Sequence, residues 1–289
     1  IFKEQIKIIR SLKFNFYNPN DLEKNFYIKK IEKKILITID DAFSSFYHTA
    51  WPYLKKEKIP FIIFVSTEAV GKKGYMTWNQ IKELDKEPNV YIGNHSHSHG
   101  YLVDLKKNDF IKDVNTASKI FIKNLGYNPV FFSYPFGEYN QFIKKFISKN
   151  FKFSFGQHSG VIDVNKDRYE LPRFPINEKY GDLKRFKFLI NLNPLQYKNI
   201  IPEEKYITIQ NNPPLLEVIF FKNQKNIQNI NCFSDEGNKW EKSNVTINQN
   251  NLHIKFRDKF LFRRGRVNCS LNDDGVWRWF GLQFSVEKN

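Results

Sequence analysis

Residues 34–41 read Lys-Ile-Leu-Ile-Thr-Ile-Asp-Asp, an apolar run that ends in two adjacent carboxylates. The run is short and rich in β-branched side chains, which predicts a strand buried on both faces, as in a parallel sheet. Four more short apolar runs follow, at Phe61–Val65, Val90–Ile92, Val130–Phe132 and Phe151–Phe155. Helix-like segments lie between and around them, at 44–58, 78–85, 108–124 and 139–149. This alternation indicates an α/β fold with a parallel sheet, either a barrel or doubly wound.

From about Tyr206 the pattern changes to short strand-like runs separated by Asn, Asp and Gly turns. These runs are Tyr206–Ile209, Leu216–Phe221, Val245–Ile247, Leu252–Phe256 and Trp277–Phe284. They predict a small antiparallel β domain, most simply a sandwich. We therefore divide the chain into an α/β domain over residues 1–204, with one or two N-terminal helices on its outside, and a β-rich module over residues 205–289.

The chain is strongly basic, with 46 Lys and Arg against 30 Asp and Glu, a formal net charge of +16. Such a charge fits either nucleic-acid binding or residence at an anionic envelope surface. The excess is mostly Lys scattered along helical segments, and we find no nucleic-acid recognition motif, so charge alone does not indicate a nucleic-acid partner. No apolar run approaches the roughly 20 residues of a membrane-spanning helix, so we expect no membrane span.

Candidate functional residues gather after the predicted strands, where parallel α/β folds place their functional groups. They are Asp40 and Asp41 after the first strand, His95, His97 and His99 after the third, Phe136 after the fourth and His158 after the fifth. Imidazoles four residues apart project to the same side of a helical turn, so His95 and His99 can act together, whereas His97 is interpreted as a surface residue.

Two imidazoles and one carboxylate form the open facial set typical of catalytic zinc or another divalent metal. Of the two adjacent aspartates, one can bind the metal while the other acts as a general base. The alternatives are a polar loop for the histidines and a helix N-cap for the aspartates. Their occurrence together, on successive strand ends, favours the metal site.

These residues resemble motifs of the polysaccharide deacetylases, the NodB-homology domain of carbohydrate esterase family 4. Thr38-Ile39-Asp40-Asp41-Ala42 resembles the family's Thr-Phe-Asp-Asp-Gly motif, and His95-Ser96-His97-Ser98-His99 fits its His-Ser/Thr-x-x-His zinc motif. Further segments resemble the branch that acts on poly-N-acetylglucosamine, namely 45–47, 60–65, 77–78 and 134–140. The resemblance covers about residues 30–180.

The resemblance implies a distorted (β/α) barrel and a metal-dependent hydrolase that removes N-acetyl groups from N-acetylglucosamine polymers. Asp40 would be the general base, while Asp41, His95 and His99 would bind the metal, most simply zinc, with nickel or cobalt as alternatives. Water held by the metal would attack the acetyl carbonyl, and the backbone N–H of Phe136 would help to stabilise the oxyanion. Acetate and a free glucosamine amine would be the products.

Three positions depart from the family pattern. Ala42 replaces Gly, Ser133 stands where many members have an arginine that orients the base, and the Leu-x-His motif that supplies the usual general acid is absent. His158 is our substitute acid, with a structural loop role as the alternative. Arg173 is the candidate replacement for the missing arginine, with packing or surface exposure as the alternative.

The resemblance also implies an exported protein of the periplasm or cell envelope, whose basic surface would keep it near an anionic layer. In such an environment we expect Cys232 and Cys269 to pair, with two separate buried thiols as the alternative. Trp277 and Trp279 would share one strand face, as a sugar-binding platform or as core. Competing functions are an O-acetyl polysaccharide esterase, a catalytically weakened carbohydrate-binding cell-wall protein and, last, a nucleic-acid binder.

Overall fold

A computed structural model describes residues 1–26, 32–222 and 224–287 of the chain. Helices α1 to α7 span Phe2–Ser11, Leu22–Asn25, Trp51–Lys56, Trp78–Asp85, Lys107–Leu125, Gln141–Asn150 and Leu183–Asn191. Strands β1 to β7 span Asn15–Phe16, Lys34–Ile35, Ile37–Ile39, Phe61–Val65, Val90–Asn94, Phe131–Ser133 and Phe153–Phe155. Strands β8 to β17 span Asn193–Pro194, Asn199–Ile201, Tyr206–Ile207, Leu216–Ile219, Asn231–Ser234, Glu241–Lys242, Asn244–Asn248, Asn251–Lys255, Arg264–Asp273 and Val276–Val286.

Five parallel strands, in the order β3-β4-β5-β6-β7, form the central sheet of the α/β domain. The sheet curls into a half-barrel with helices outside it, which confirms the predicted distorted (β/α) barrel. The prediction that the first run is one strand buried on both faces is wrong. It breaks into β2 and β3, and β3 is half-exposed because it forms the edge of the sheet and pairs with β4 alone.

Local signals set the helix boundaries. Helix α4 begins at a capping box in which the Thr77 side chain accepts from the Gln80 amide and the Gln80 side chain accepts from the Thr77 amide. Helix α5 ends at Gly126, whose φ of 85° suits a residue without a Cβ. The helix predicted over 44–58 instead opens with a π-helical turn over Phe46–Ala50, because Pro52 has no N–H with which to continue regular α-helical bonding.

The N-terminal helix covers the flank of the α/β domain. Ile6 and Ile9 of α1 are buried in the same core cluster as Phe186 and Ile190 of α7. The expected outer packing of this segment is therefore confirmed for α1, while residues 27–31 of the predicted extension lie outside the described residues. Within the described ranges, no helix combines the length and the apolar character needed to cross a bilayer.

Two sheets form the β-rich C-terminal region. One has the order β10-β17-β16-β12-β13, with β8 also paired to β17, and the other has the order β14-β15-β11-β9. Apolar side chains of both sheets share one core. The longest hairpin of this region joins β16 to β17 through Asp274 and Gly275. Both residues have positive φ, as a tight hairpin turn requires. The sequence analysis did not predict strand β16, although Val267, Cys269 and Leu271 alternate with polar residues along it.

Strand pairing of the β-rich region extends back across the predicted domain boundary. Strands β8 and β9 precede residue 204, yet both pair with strands of the C-terminal sheets, so the change of architecture begins just after α7. The domain boundary between 204 and 205 stays a prediction. Trp279 Nε1 donates to the Ser159 carbonyl at 3.2 Å, and the Trp277 ring lies 5.8 Å from that of Phe188. Both indoles therefore contact the α/β domain.

The expected disulfide between Cys232 and Cys269 is present. The two cysteines lie opposite each other on β12 and β16, and both are fully buried. The bond closes a loop of 37 residues, so it limits the conformations that the unfolded module can adopt.

Replacing both cysteines by alanine should lower the free energy of unfolding of the β module by about 2–4 kcal/mol, because the unfolded chain regains the closed-loop entropy. Differential scanning calorimetry under non-reducing conditions measures the change. A reductant should destabilise the wild type and leave the double variant unaffected. An unchanged unfolding temperature in the double variant would contradict the prediction.

Candidate active site

Asp41, His95 and His99 converge at the carboxyl ends of β3 and β5. Asp41 Oδ1 lies 3.0 Å from His99 Nε2 and 3.6 Å from His95 Nε2, and the three ligand atoms lie within 4.8 Å of one another. A sharp turn places the carboxylate there, since Asp41 and Ala42 have φ values of 72° and 52°. Left-handed backbone at consecutive non-glycine residues is strained, as is common where a side chain must be aimed at a functional site.

His95 is oriented as metal-binding histidines usually are. Its Nδ1 lies 2.7 Å from the Ser133 carbonyl oxygen, which can only accept, so Nδ1 carries the proton and Nε2 presents a lone pair. The ring is fully buried, and Nε2 has no hydrogen-bond partner among the described residues. Burial lowers the pKa of His95, which favours the neutral ligand form. An orphaned lone pair beside a second imidazole and a carboxylate fits a divalent metal.

The loop that carries His95 and His99 is held by Asp113 of α5, a residue that the sequence reasoning missed. The Asp113 carboxylate accepts from the amides of His97 and Ser98 at 2.8 and 3.0 Å. The His99 amide donates to Ser96 Oγ at 3.0 Å, which supports the positive φ of His99. Only the fold brings Asp113 to this loop, since it reads in sequence as an ordinary helix-surface acid.

His97 lies outside the ligand set, as expected, but it is half-buried rather than a free surface residue. Its Nδ1 hydrogen-bonds Thr67 Oγ1 at 2.9 Å, and its carbonyl accepts from the hydroxyl of Ser66 and the amide of Glu68. The side chain thus joins the loops that follow β4 and β5.

Asp40 faces Arg173, which comes from a loop more than 130 residues later. Arg173 Nη1 and Nη2 donate to the two carboxylate oxygens at 2.7 and 2.9 Å, a bidentate pair. The same guanidinium donates to the Gly156 carbonyl, Thr38 Oγ1 and Ser133 Oγ. Burial by itself would raise the pKa of Asp40, but the charge and hydrogen bonds of Arg173, together with His95 and His99, outweigh burial and hold the pKa at about 2. The carboxylate is therefore ionised at neutral pH and fixed in orientation.

Phe136 lies on the short 3₁₀ turn Pro135–Gly137 that follows β6. Its ring packs edge-on against His99, with the centroids 4.8 Å apart, and stacks on Tyr101 at 4.4 Å. The backbone N–H of Phe136 donates to none of the described residues. A cleft of about 240 Å³ opens beside Asp41 and His99, lined also by Ser66, Glu68, Lys72 and Tyr75.

His158 does not join this group. It lines a separate cavity of about 300 Å³ between the α/β domain and the β module, together with Glu170, Lys205 and Trp279. Burial lowers the pKa of His158 to about 4, so the ring is uncharged near neutral pH. The strand end that carries His158 was read correctly, but the chain turns its side chain toward the β module.

Comparisons with known proteins identify polysaccharide deacetylases as similar to this chain. A family model described as polysaccharide deacetylase matches residues 28–151. A poly-β-1,6-N-acetyl-D-glucosamine N-deacetylase of Staphylococcus aureus is 28% identical over 198 residues, which covers 61% of this chain and 66% of that protein. The chain therefore matches just under two thirds of the length of this curated relative.

Solved structures show the same fold. IcaB from Ammonifex degensii superposes with a TM-score of 0.59 at 24% identity, covering 65% of this chain and 87% of its own. The deacetylase PplD of Streptococcus pyogenes, solved with acetate, gives a TM-score of 0.55 at 22% identity and covers 60% of this chain and 78% of its own.

The motifs around Asp40 and His95, the curled parallel sheet that presents them and the matched region all agree. On these grounds, residues 28–151 match the polysaccharide deacetylase family, in agreement with the resemblance found in the sequence motifs.

Proposed function

We propose that the protein is a metal-dependent polysaccharide N-deacetylase that hydrolyses the N-acetyl groups of N-acetylglucosamine polymers. The observation that carries the proposal is the juxtaposition of two units: the Asp41–His95–His99 set and the ionised Asp40 held by Arg173. The Staphylococcus aureus relative acts on poly-β-1,6-N-acetyl-D-glucosamine, which supports this substrate class.

Asp41, His95 and His99 would hold the divalent cation, for which zinc suits a set of two imidazoles and one carboxylate best. When bound, such an ion polarises a carbonyl oxygen and makes water more acidic. The burial of His95 and its bond to Ser133 keep the ligand ring neutral and correctly turned. The family is metal-dependent, which agrees with this ligand set.

Asp40 accepts a proton from the water that attacks the acetyl carbonyl carbon, and Arg173 holds both carboxylate oxygens in place during that transfer. The amide N–H of Phe136 donates to the oxyanion. The C–N bond then breaks, the acetyl group leaves as acetate, and the proton taken by Asp40 passes to the leaving nitrogen. Because His158 lies in another cavity and is unprotonated near neutral pH, we assign it no proton transfer.

Arg173 also removes one of the two arguments for a catalytically weakened protein. That alternative depended on the absent Leu-x-His motif and on Ser133 standing where the family pattern has arginine, and Arg173 answers the second point. Here Ser133 Oγ accepts from Arg173 Nη2 at 2.9 Å, so the small side chain leaves room for a guanidinium that arrives from elsewhere in the chain.

We also propose that the protein is exported and acts at the cell envelope. The buried disulfide supports this location, since such bonds persist mainly in oxidising compartments. The net charge of +16 would favour residence near an anionic surface.

Wild-type protein loaded with zinc should release acetate from β-1,6-linked N-acetylglucosamine oligomers, and Asp40→Asn should lower kcat by about 10²–10⁴-fold because the general base is lost. Acetate release measures the activity, with chitin oligomers and peptidoglycan as competing substrates. Asp40→Asn should keep its zinc. Wild-type turnover in this variant would refute the role of Asp40, and no acetate from any glycan would refute the proposed activity.

Zinc should bind one equivalent per chain, and both Asp41→Asn and His99→Ala should abolish tight binding, because two ligands cannot complete the site. Isothermal titration calorimetry measures the stoichiometry and the affinity. His253→Ala is the matched control, since His253 is a half-exposed histidine of the β module whose nearest charged partner is Glu217. Unchanged zinc binding by Asp41→Asn would show that the metal, if any, binds elsewhere.

Asp113→Ala should weaken zinc binding by about 10–100-fold, since it releases the two amides that fix the histidine loop. Asp109→Ala serves as the control, because Asp109 is an exposed acid one turn earlier on the same helix. Competition with a chromogenic chelator measures both affinities. Equal zinc affinity in the two variants would mean that Asp113 does not position the ligands.

A further inference from the structure

The Phe136 backbone adopts a conformation that its own sequence does not favour. Its φ of 59° and ψ of 5° lie in the left-handed region, which is costly for a residue with a bulky side chain. Gly137 follows with a φ of 70°, and a Cβ there would lie 2.5 Å from the Gln157 backbone nitrogen. Such a turn persists only when surrounding contacts determine it.

The β module supplies one of these contacts directly. Gln283, on β17, donates from Nε2 to the Phe136 carbonyl oxygen at 2.9 Å. The Gln283 residue is 8% exposed, so water competes little for this bond. The bond therefore holds the carbonyl of the Phe136–Gly137 peptide from the side of the β module.

Arg263 of the β module contacts the residue that follows this turn and the side chains that pack on it. Its Nε lies 3.1 and 2.9 Å from the two carboxylate oxygens of Glu138, which is fully buried, and its Nη1 donates to Asp104 at 2.7 Å. The guanidinium carbon lies 3.7 Å from the centroid of the Tyr101 ring, and Tyr101 stacks on Phe136. Arg263 therefore fixes both the residue that follows the turn and the ring that covers it.

We propose that the β module contributes directly to the active site. Two of its residues, Gln283 and Arg263, act as positioning residues for the turn Pro135–Gly137, here called the Phe136 turn. They hold Phe136 in its left-handed conformation, and so set both the N–H that would face the oxyanion and the ring that packs on His99. The catalytic consequence rests on the proposed deacetylase function. The positioning itself does not, and it can be measured without substrate.

Gln283→Ala is the principal test, because it removes one hydrogen bond and no charge. We expect faster hydrogen–deuterium exchange in the peptide that covers residues 131–140, and a fall in kcat of about tenfold with KM nearly unchanged, as expected when a catalytic donor is displaced. Zinc stoichiometry should stay at the wild-type value. The exposed Gln228→Ala in the same module is the control and should match the wild type throughout.

Arg263→Gln gives the second test, with Arg257→Gln as its matched control. Arg257 also pairs with a buried glutamate, since its Nε lies 2.8 Å from Glu236 Oε1, but this pair lies wholly within the β module. We expect Arg263→Gln to speed exchange at 131–140 and to lower kcat, while Arg257→Gln leaves both unchanged. A global loss of structure would affect the two variants alike.

Unchanged exchange at residues 131–140 in Gln283→Ala would overturn the proposal, as would equal effects of Arg263→Gln and Arg257→Gln on that segment. If exchange rises while kcat stays at the wild-type value, the turn is held by the module but contributes nothing to catalysis, which also overturns it. A wild type that releases no acetate would instead refute the deacetylase function and leave the exchange comparison valid.

Discussion

Parallel pairing in the central sheet is the constraint on which the candidate site depends. Strand β5 pairs with β4 over its whole length, and Asn94, its last residue, pairs with Phe132 of β6. Because all five strands run the same way, the segments that leave them emerge at one edge of the sheet. His95 directly follows β5, and its Nδ1 hydrogen-bonds the carbonyl oxygen of Ser133, the last residue of β6. A one-residue slip of register would turn these side chains to the opposite face.

The ion pair of Asp40 and Arg173 joins two distant parts of the chain. Ser133 stands where the family pattern has an arginine, and a guanidinium reaches Asp40 from the loop after β7 instead. Its five hydrogen-bond donors are all engaged by Asp40, Thr38, Ser133 and Gly156. A buried charge with this many partners is costly to lose, since the remaining carboxylate would stay desolvated and unpaired.

The two units of the chain are linked by a buried ion pair. Glu138 lies at zero exposure in the α/β domain, and its cation, Arg263, belongs to the β module. Separating the two units would remove the partner of each charge, so this ion pair contributes to the contact between them. The same contact surrounds the Phe136 turn, so domain docking and the geometry of the site are coupled.

The sequence by itself determined the α/β class, the position of each strand that carries a site residue and the grouping of Asp40, Asp41, His95 and His99. These depend on local periodicity and on the rule that functional groups follow parallel strands, whereas the choice of Asp41 as the metal ligand came from the family resemblance. Tertiary structure alone decided that β3 is an edge strand, that Asp113 and Glu138 have partners far along the chain, and that His158 turns toward a separate cavity. The reason is physical: periodicity fixes which face of an element is buried, whereas the partner of a side chain depends on how distant segments pack.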